Sequence, residues 1–368
     1  MRIRYFHFLT FIIFVWILAT VAPSMATETA LQPIPSPDIS IHSIRSDAGR
    51  PIRTFGKKYK GKIWDTHVHL DPPGKQSGEG GNPDQLLAVL EKAGIHRVNI
   101  MPTPNEGSFD KAKYFPRGGT AGREALHSKG SRQIRVFCGA EFLSVWMGKA
   151  ATKGYKQKEF QERIIALDVA LTEGRCHGIG EIGLFHFNKS GRQLVLEVPP
   201  TFPPFLSLFE LATSNESWVD LHAEPVEPGG KSRESEVFGI IALLYKKHPN
   251  LKLILSHTAM TNPTNLEALF TVYPSLMVNF KLVRNHERWK NLEPNCDPDG
   301  RLYEDWAVLM EAYPDRFLVG SDAKFGRKGF KLKRYQKEIR LFRRVLGGLD
   351  SNTARKIAWE NAVRVFGN

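Results

Sequence analysis

After Gly61 the chain alternates, eight times over, between a short β-rich run and a helical pattern. The runs are KIWDTHVHL, RVNIMPT, IRVFCGAEFL, HGIGEIGLFHF, WVDLHAEP, LKLILSHTA, LMVNFK and RFLVGSD. One helix spans NPDQLLAVLEKAG, with Asn82 as a polar start, Pro83 in the first turn and Gly94 as a stop. Another, over 159–173, carries Phe160, Ile164, Leu167 and Leu171 on one stripe. Helical patterns also fall near 121–128, 204–215, 235–247, 265–273 and 303–313, and two more close the chain at 331–346 and 352–366. Parallel strands need a crossover between them, so strand–helix alternation points to a parallel α/β architecture. Eight units predict a (β/α)8 TIM barrel forming a single catalytic domain over residues 62–368. A doubly wound open sheet is the alternative, but no Gly-rich fingerprint follows the first run, which weakens its dinucleotide-binding form.

A barrel builds its site at the C-terminal ends of its strands. There the sequence puts His67 and His69, then Glu181, His222, His257 and Asp322. Residues two apart on a strand share a face, so His67 and His69 project side by side. Each of the six follows an apolar run, and burying a polar group without a partner is costly. A lone histidine at a strand end is ordinarily a satisfied core or surface residue. Six metal-compatible residues at one rim point instead to a metal site. Glu181, in GEIG, also reads as a hydrogen-bonded carboxylate at a turn. Asp65, one step deeper on the face of His67, either orients a ligand histidine through its second ring nitrogen or is simply buried. His186 is a candidate lining residue. His42, His96, His127, His177, His248 and His286 read as surface histidines.

These segments, with the closing WENAVRVFG, resemble the amidohydrolase superfamily, and most of all its amidohydrolase-related (amidohydrolase 2) branch of hydrolases and decarboxylases. GEIGL also looks like the TatD-type metal-dependent nucleases. The resemblance runs from Ile63 to Gly367 and implies a TIM barrel. It implies a first metal on His67, His69 and Asp322. It gives His222 and His257 to a second metal or to substrate, and makes Glu181 the bridging carboxylate that relatives often supply as a modified lysine. It implies that Asp322 moves the proton of an activated water, and that His257 stabilises the oxyanion if one metal binds.

Nitrogen and oxygen ligands with open positions suit zinc, with manganese or iron as alternatives, in one or two ions. The favoured chemistry is metal-dependent hydrolysis of an amide, ester, lactone or related C–N or C–O bond in a small molecule. Decarboxylation of an aromatic or unsaturated acid is the second reading. A phosphodiesterase or nuclease is the third, although the basic residues form no compact patch interleaved with aromatics, so nucleic acid is not favoured. A barrel that only binds a ligand is the non-enzymatic reading. Lys281 and Arg284 are candidates to hold an anionic group on the substrate, or are surface charge, as are Lys324 and Arg327. The substrate pocket is expected from loops 103–120, 144–158, 186–200 and 284–302, with PRGG at 116–119 and Trp146 and Trp289 shaping it.

The remaining features bound the setting. Lys and Arg number 51 against 38 Asp and Glu, which suits an anionic substrate or is plain surface character. Arg2 and Arg4 precede an apolar stretch from Phe8 to Val21, and Ser24-Met25-Ala26 follows, so residues 1–26 read as a signal peptide. The expected destination is the periplasm or the medium; an uncleaved membrane anchor is the alternative. Residues 27–61, rich in Pro and Ser, read as a linker or surface arm. The three cysteines are too few for a disulfide scaffold and allow at most one bridge, which is not the favoured reading; Cys138 reads as a small buried hydrophobe.

Overall fold

The computed structural model describes residues 49–54, 56–70, 83–104, 132–187, 195–228, 230–284, 293–326 and 329–367. These lie within one compact unit, Pro35–Asn368. The strands are β1 (Trp64–Leu70), β2 (Arg97–Met101), β3 (Ile134–Gly139), β4 (Gly178–His186), β5 (Leu196–Glu197), β6 (Val219–Ala223), β7 (Leu253–Leu255), β8 (Met277–Phe280), β9 (Phe317–Val319) and β10 (Ala323–Phe325). They join in the order β10-β1-β2-β3-β4-β6-β7-β8-β9, with the short β5 folded back antiparallel on β4. All the other pairings are parallel.

The eighth strand comes in two halves. β9 pairs with β8, and β10, three residues later, pairs with β1. Between them the Asp322 amide donates to the His67 carbonyl at 2.9 Å. One continuous stretch therefore joins the two ends of the sheet, and the fold is a TIM barrel.

Helices follow the strands: α1 (Pro83–Ala93), α2 (Ala140–Lys153), α3 (Gln157–Thr172), α4 (Pro203–Ser214), α5 (Glu234–Lys247), α6 (Pro263–Val272), α7 (Glu304–Ala312) and α8 (Leu332–Leu346). A last helix, α9 (Ser351–Arg355), runs through a π-helical turn into α10 (Asn361–Phe366). Among the described residues no helix is long and apolar enough to cross a membrane. The main core lies between strands and helices, where Val68, Val136 and Leu221 share one apolar cluster with Leu90, Leu167 and Leu244. A separate cluster gathers Trp64, Ile254, Met277 and Leu318, at or near the starts of their strands, with Ala362 of α10. Apolar packing thus fills the barrel at that end, and its polar residues collect at the other.

Three expectations need correction. Strand three was expected to reach Leu143, but it stops at Gly139, whose φ of +102° turns the chain directly into α2. The apolar AEFL that suggested strand is the buried face of that helix, so residues expected in a loop from 144 are helical as far as Lys153. Trp146, on that helix, stacks on Phe160 of α3, ring centroids 5.8 Å apart. Cys138 is bridged: it forms a disulfide with Cys176, Cα atoms 5.9 Å apart. Closing a loop of that length stabilises a fold by about 4 kcal/mol in the chain-entropy account. The expected helix at 121–128, PRGG at 116–119 and Trp289 lie outside the described residues.

Before β1, Arg50 reaches Glu293 at 2.8 Å and Asp305 at 2.7 Å. Arg53 pairs with Glu304 at 2.6 Å and with Glu311. This part of the 27–61 stretch is therefore fastened along α7 and to Glu293 ahead of it.

Candidate metal centre

β1 places Asp65, His67 and His69 on one face, all fully buried. β6 does the same with Asp220 and His222, again two residues apart. The centre of the barrel is polar from these two strands upward, and glycine makes room for it. A Cβ at Gly320 would fall 2.9 Å from the Cβ atoms of both His67 and Asn279. One at Gly180 would fall 2.8 Å from the Cβ of Asp220. No side chain fits at either position without moving the polar network.

The first histidine is wired through Nδ1. His67 Nδ1 lies 3.1 Å from Asp220 Oδ2, and Asn279 donates to the same oxygen at 2.8 Å. His69 Nδ1 faces the carbonyl of Met101 at 3.3 Å. Both acceptors call for a proton on Nδ1, so Nε2 is the nitrogen of each ring that can offer a lone pair, in His67 after it gives up its own proton. The two Nε2 atoms and Asp322 Oδ1 are buried and have no hydrogen-bond partner among the described residues. His69 Nε2 stands 3.0 Å from Asp322 Oδ1. Buried polar atoms without partners cost about 1–3 kcal/mol each, so this arrangement calls for an atom that accepts their electrons.

Glu181 is the hub. Its Oε1 faces His222 Nδ1 at 2.6 Å, His257 Nε2 at 3.3 Å and His67 Nε2 at 3.5 Å, and its Oε2 faces His69 Nε2 at 3.4 Å. Burial opposes charge on this carboxyl, but His222 and His67 outweigh it and hold its pKa well below the ordinary value. Burial also pulls His67 down, yet Asp220 and Glu181 prevail and raise it well above 6.5. In His69 and His257 burial wins, and both are lowered. For His222 the carboxylates of Glu181 and Glu224 overcome burial and bring the pKa to about 9.

Two of these residues sit on strained backbone. His257 opens a run of left-handed residues, His257 to Met260, with φ between +52° and +59°, and Asp322 has φ +56°. Such conformations cost of order 1–3 kcal/mol each outside glycine and persist where the surroundings hold them. Here Asn279 Oδ1 accepts from the His257 amide at 2.7 Å, and the His67 carbonyl accepts from that of Asp322. The run also explains why strand seven stops at Leu255.

The donors fall into three groups able to hold a metal ion: His67, His69 and Asp322; His67, Glu181 and His257, which shares His67 with the first; and, separately, His186, His222 and Glu224. Within each, one ligand atom per residue lies within 4.8 Å of the others. The structure thus brings the four expected histidines around Glu181, with Asp322 joined to them through His69. It puts His222 in a different group from His67, with Nε2 on Glu224 Oε1 at 3.1 Å. Lys281 enters the site, where Nζ donates to Asp322 Oδ2 at 2.6 Å. Burial resists charge on Asp322, but Lys281 and Lys324 hold its pKa well below the ordinary value. Arg284 instead pairs with Glu338 of α8 at 3.1 Å.

Asp65 does not orient a ligand ring. Its carboxylate accepts from the Ser321 amide at 2.9 Å, from Ser321 Oγ at 2.5 Å and from Tyr335 Oη at 2.9 Å. It fixes the turn that carries Asp322. The orienting carboxylate is Asp220, with Asn279 beside it, and neither was anticipated. The signal was present in VDLHAE, where Asp220, His222 and Glu224 repeat every second residue as His67 and His69 do.

The rim of histidines and carboxylates sits on a TIM barrel, and known structures share that fold. The chain superposes on a 2,6-dihydroxybenzoate decarboxylase from Rhizobium (TM-score 0.53, 12% identity, covering 83% of this chain and 99% of that one). It matches a structure described as amidohydrolase II (TM-score 0.53, 13% identity, 83% and 100% covered). It also matches an uncharacterized TIM-barrel protein from Bordetella bronchiseptica (TM-score 0.50, 14% identity, 83% and 98% covered). No family model and no curated protein matches the sequence. At these identities the shared property is the fold, which is the one that the resemblance to the amidohydrolase superfamily implied.

Proposed function

We propose that the chain is a metal-dependent hydrolase of the amidohydrolase type, acting on an amide, ester, lactone or related bond of a small molecule. The observation that carries this is the convergence of His67 Nε2, His69 Nε2 and Asp322 Oδ1, buried and without hydrogen-bond partners. These three would hold a divalent ion, zinc by their donor chemistry, with His257 and Glu181 within reach of the same centre. Such an ion supplies a Lewis acid that polarises the scissile group and acidifies water.

The chain's own residues do the rest. Asp220 and the Met101 carbonyl keep the His67 and His69 rings in the tautomer that binds. Asp322 takes up the proton of the attacking water and passes it to the leaving group. In this pairing Lys281 lowers its basicity. An anionic substrate group that draws Nζ away would restore it, so Lys281 couples substrate binding to the base. His257, kept neutral by burial, donates to the developing oxyanion.

A decarboxylase is the second reading, favoured by the fold shared with the Rhizobium enzyme. Both readings use the same centre, so products separate them. The test is to load the full chain with zinc and offer ester, lactone and amide panels beside 2,6-dihydroxybenzoate. Acid release without carbon dioxide is the expected result. Carbon dioxide release would establish the second reading, and tight binding without turnover would make the barrel a binding protein. We also propose that residues 1–26 are an export signal and that the chain works in the periplasm or medium; the Cys138–Cys176 bridge supports an oxidising compartment. Mass spectrometry of the protein from cell fractions would test it, and an intact cytoplasmic N-terminus would overturn it.

A further inference from the structure

Beyond the donors that face Asp322, His186, His222 and Glu224 converge on their own. His186 ends β4, and β4 pairs with β6 so that Gly183 lies beside His222 and Phe185 beside Ala223. The Glu224 amide then donates to the Phe185 carbonyl at 3.0 Å, which extends the ladder to the third residue. All three side chains are buried. We infer that His186, His222 and Glu224 form a second, separate site for a divalent transition-metal ion.

Two imidazoles and a carboxylate are a donor set that zinc and its neighbours accept, and three protein ligands leave a position open for water or a substrate oxygen. The ligands are also oriented as ligands usually are. His222 Nδ1 is held by Glu181 Oε1 at 2.6 Å, and Glu224 Oε2 accepts from the Phe187 amide at 2.9 Å. That turns His222 Nε2 and Glu224 Oε1 toward each other, 3.1 Å apart, with the His186 ring centroid 5.2 Å from that of His222. Glu181 then serves both sites: it faces the first group directly and steadies the second through His222. This differs from a pair of ions bridged by Glu181, because here the carboxylate stands behind a ligand of the second ion. The competing occupant is a proton shared by His222 and Glu224. The inference stands apart from the hydrolase reading, since it needs none of His67, His69 or Asp322.

The test is cobalt titration of the chelator-stripped full chain, read by bound-metal analysis and by visible absorption. Wild type should take about two equivalents, one per site. His186→Ala and Glu224→Gln should each lose about one and keep the other, and His69→Ala should lose the complementary one. If either His186→Ala or Glu224→Gln binds as many ions as wild type, the second site is refuted and the proton is the occupant. Loss in the His69 variant alone leaves only the first centre standing; loss in the other two alone leaves only the second. Should His186→Ala fail to fold, Glu224→Gln, which preserves the shape beside Phe187, decides.

Discussion

The two groups of donors on either side of Glu181 each join two histidines to one carboxylate, yet they are finished differently. In the group of His67, His69 and Asp322, three donor atoms face one another with no hydrogen-bond partner. In the group of His186, His222 and Glu224, the His222 and Glu224 donors already bond each other. Without an ion the three facing atoms of the first group stay without a hydrogen bond, although Lys281 balances the Asp322 charge from its other oxygen, while the second can be closed by a proton. The difference teaches where to look for the chemistry: a site kept ready for an exchangeable reactive group is one the protein does not satisfy by itself.

The largest effect should come from breaking the unsatisfied group. His69→Ala removes one of the three facing ligand atoms of the first group. Metal content should fall by about one equivalent, and turnover by ~1000-fold or more, the loss expected when several kcal/mol of Lewis-acid assistance disappear. Elemental analysis with steady-state rates checks both. Near-wild-type turnover without metal would erase the distinction between the groups.

A smaller effect sharpens the comparison. Asp220 touches the first group only through His67. Asp220→Asn keeps the shape but removes the charge that holds the Nδ1 proton. Metal affinity at the first centre should weaken by about 10–100-fold, the usual cost of losing such a partner. Isothermal titration with zinc measures it. Lys281→Met acts on the same group from the other side. It removes the leading charge that depresses Asp322, so the carboxyl pKa should move upward. A base must be deprotonated to work, so the acidic limb of the pH–rate profile should move to higher pH. An unmoved limb would show that Asp322 is not the titrating base.

How much of this was legible in the sequence follows from what each residue depends on. The alternation of runs set the barrel because helix and strand periods are local properties. His67, His69, Glu181, His222, His257 and Asp322 were legible because a barrel assigns its strand ends to the site. Asn279 was not, and Asp220 was signalled only by its alternation with His222 in VDLHAE, because the role of both against His67 exists only when β1, β6 and β8 meet around it. The Cys138–Cys176 bridge was missed for a related reason: it joins β3 to a residue two positions before β4, and adjacency in a sheet is not spacing in a chain. Strand three ran too far because AEFL is apolar in either conformation, and only the left-handed turn at Gly139 decides between them.

The smallest effect lies in the satisfied group and concerns stability. In the metal-free chain Glu181 and Glu224 raise His222 from 6.5 to about 9, against the pull of burial. The folded state therefore keeps a proton that the unfolded chain releases first. That contribution is complete below pH 6.5, declines as pH rises, and is gone above about 9. Between those values stability should fall by at most about 1.4 kcal/mol per pH unit, since one extra proton is bound in the folded state. Chemical unfolding of the stripped protein at a series of pH values reads this slope, and His222→Gln should flatten it. Saturating metal should flatten it too, because an ion on His222 and Glu224 displaces the proton whose release sets the slope. If metal leaves the slope intact while His222→Gln removes it, the satisfied group is closed by its proton alone.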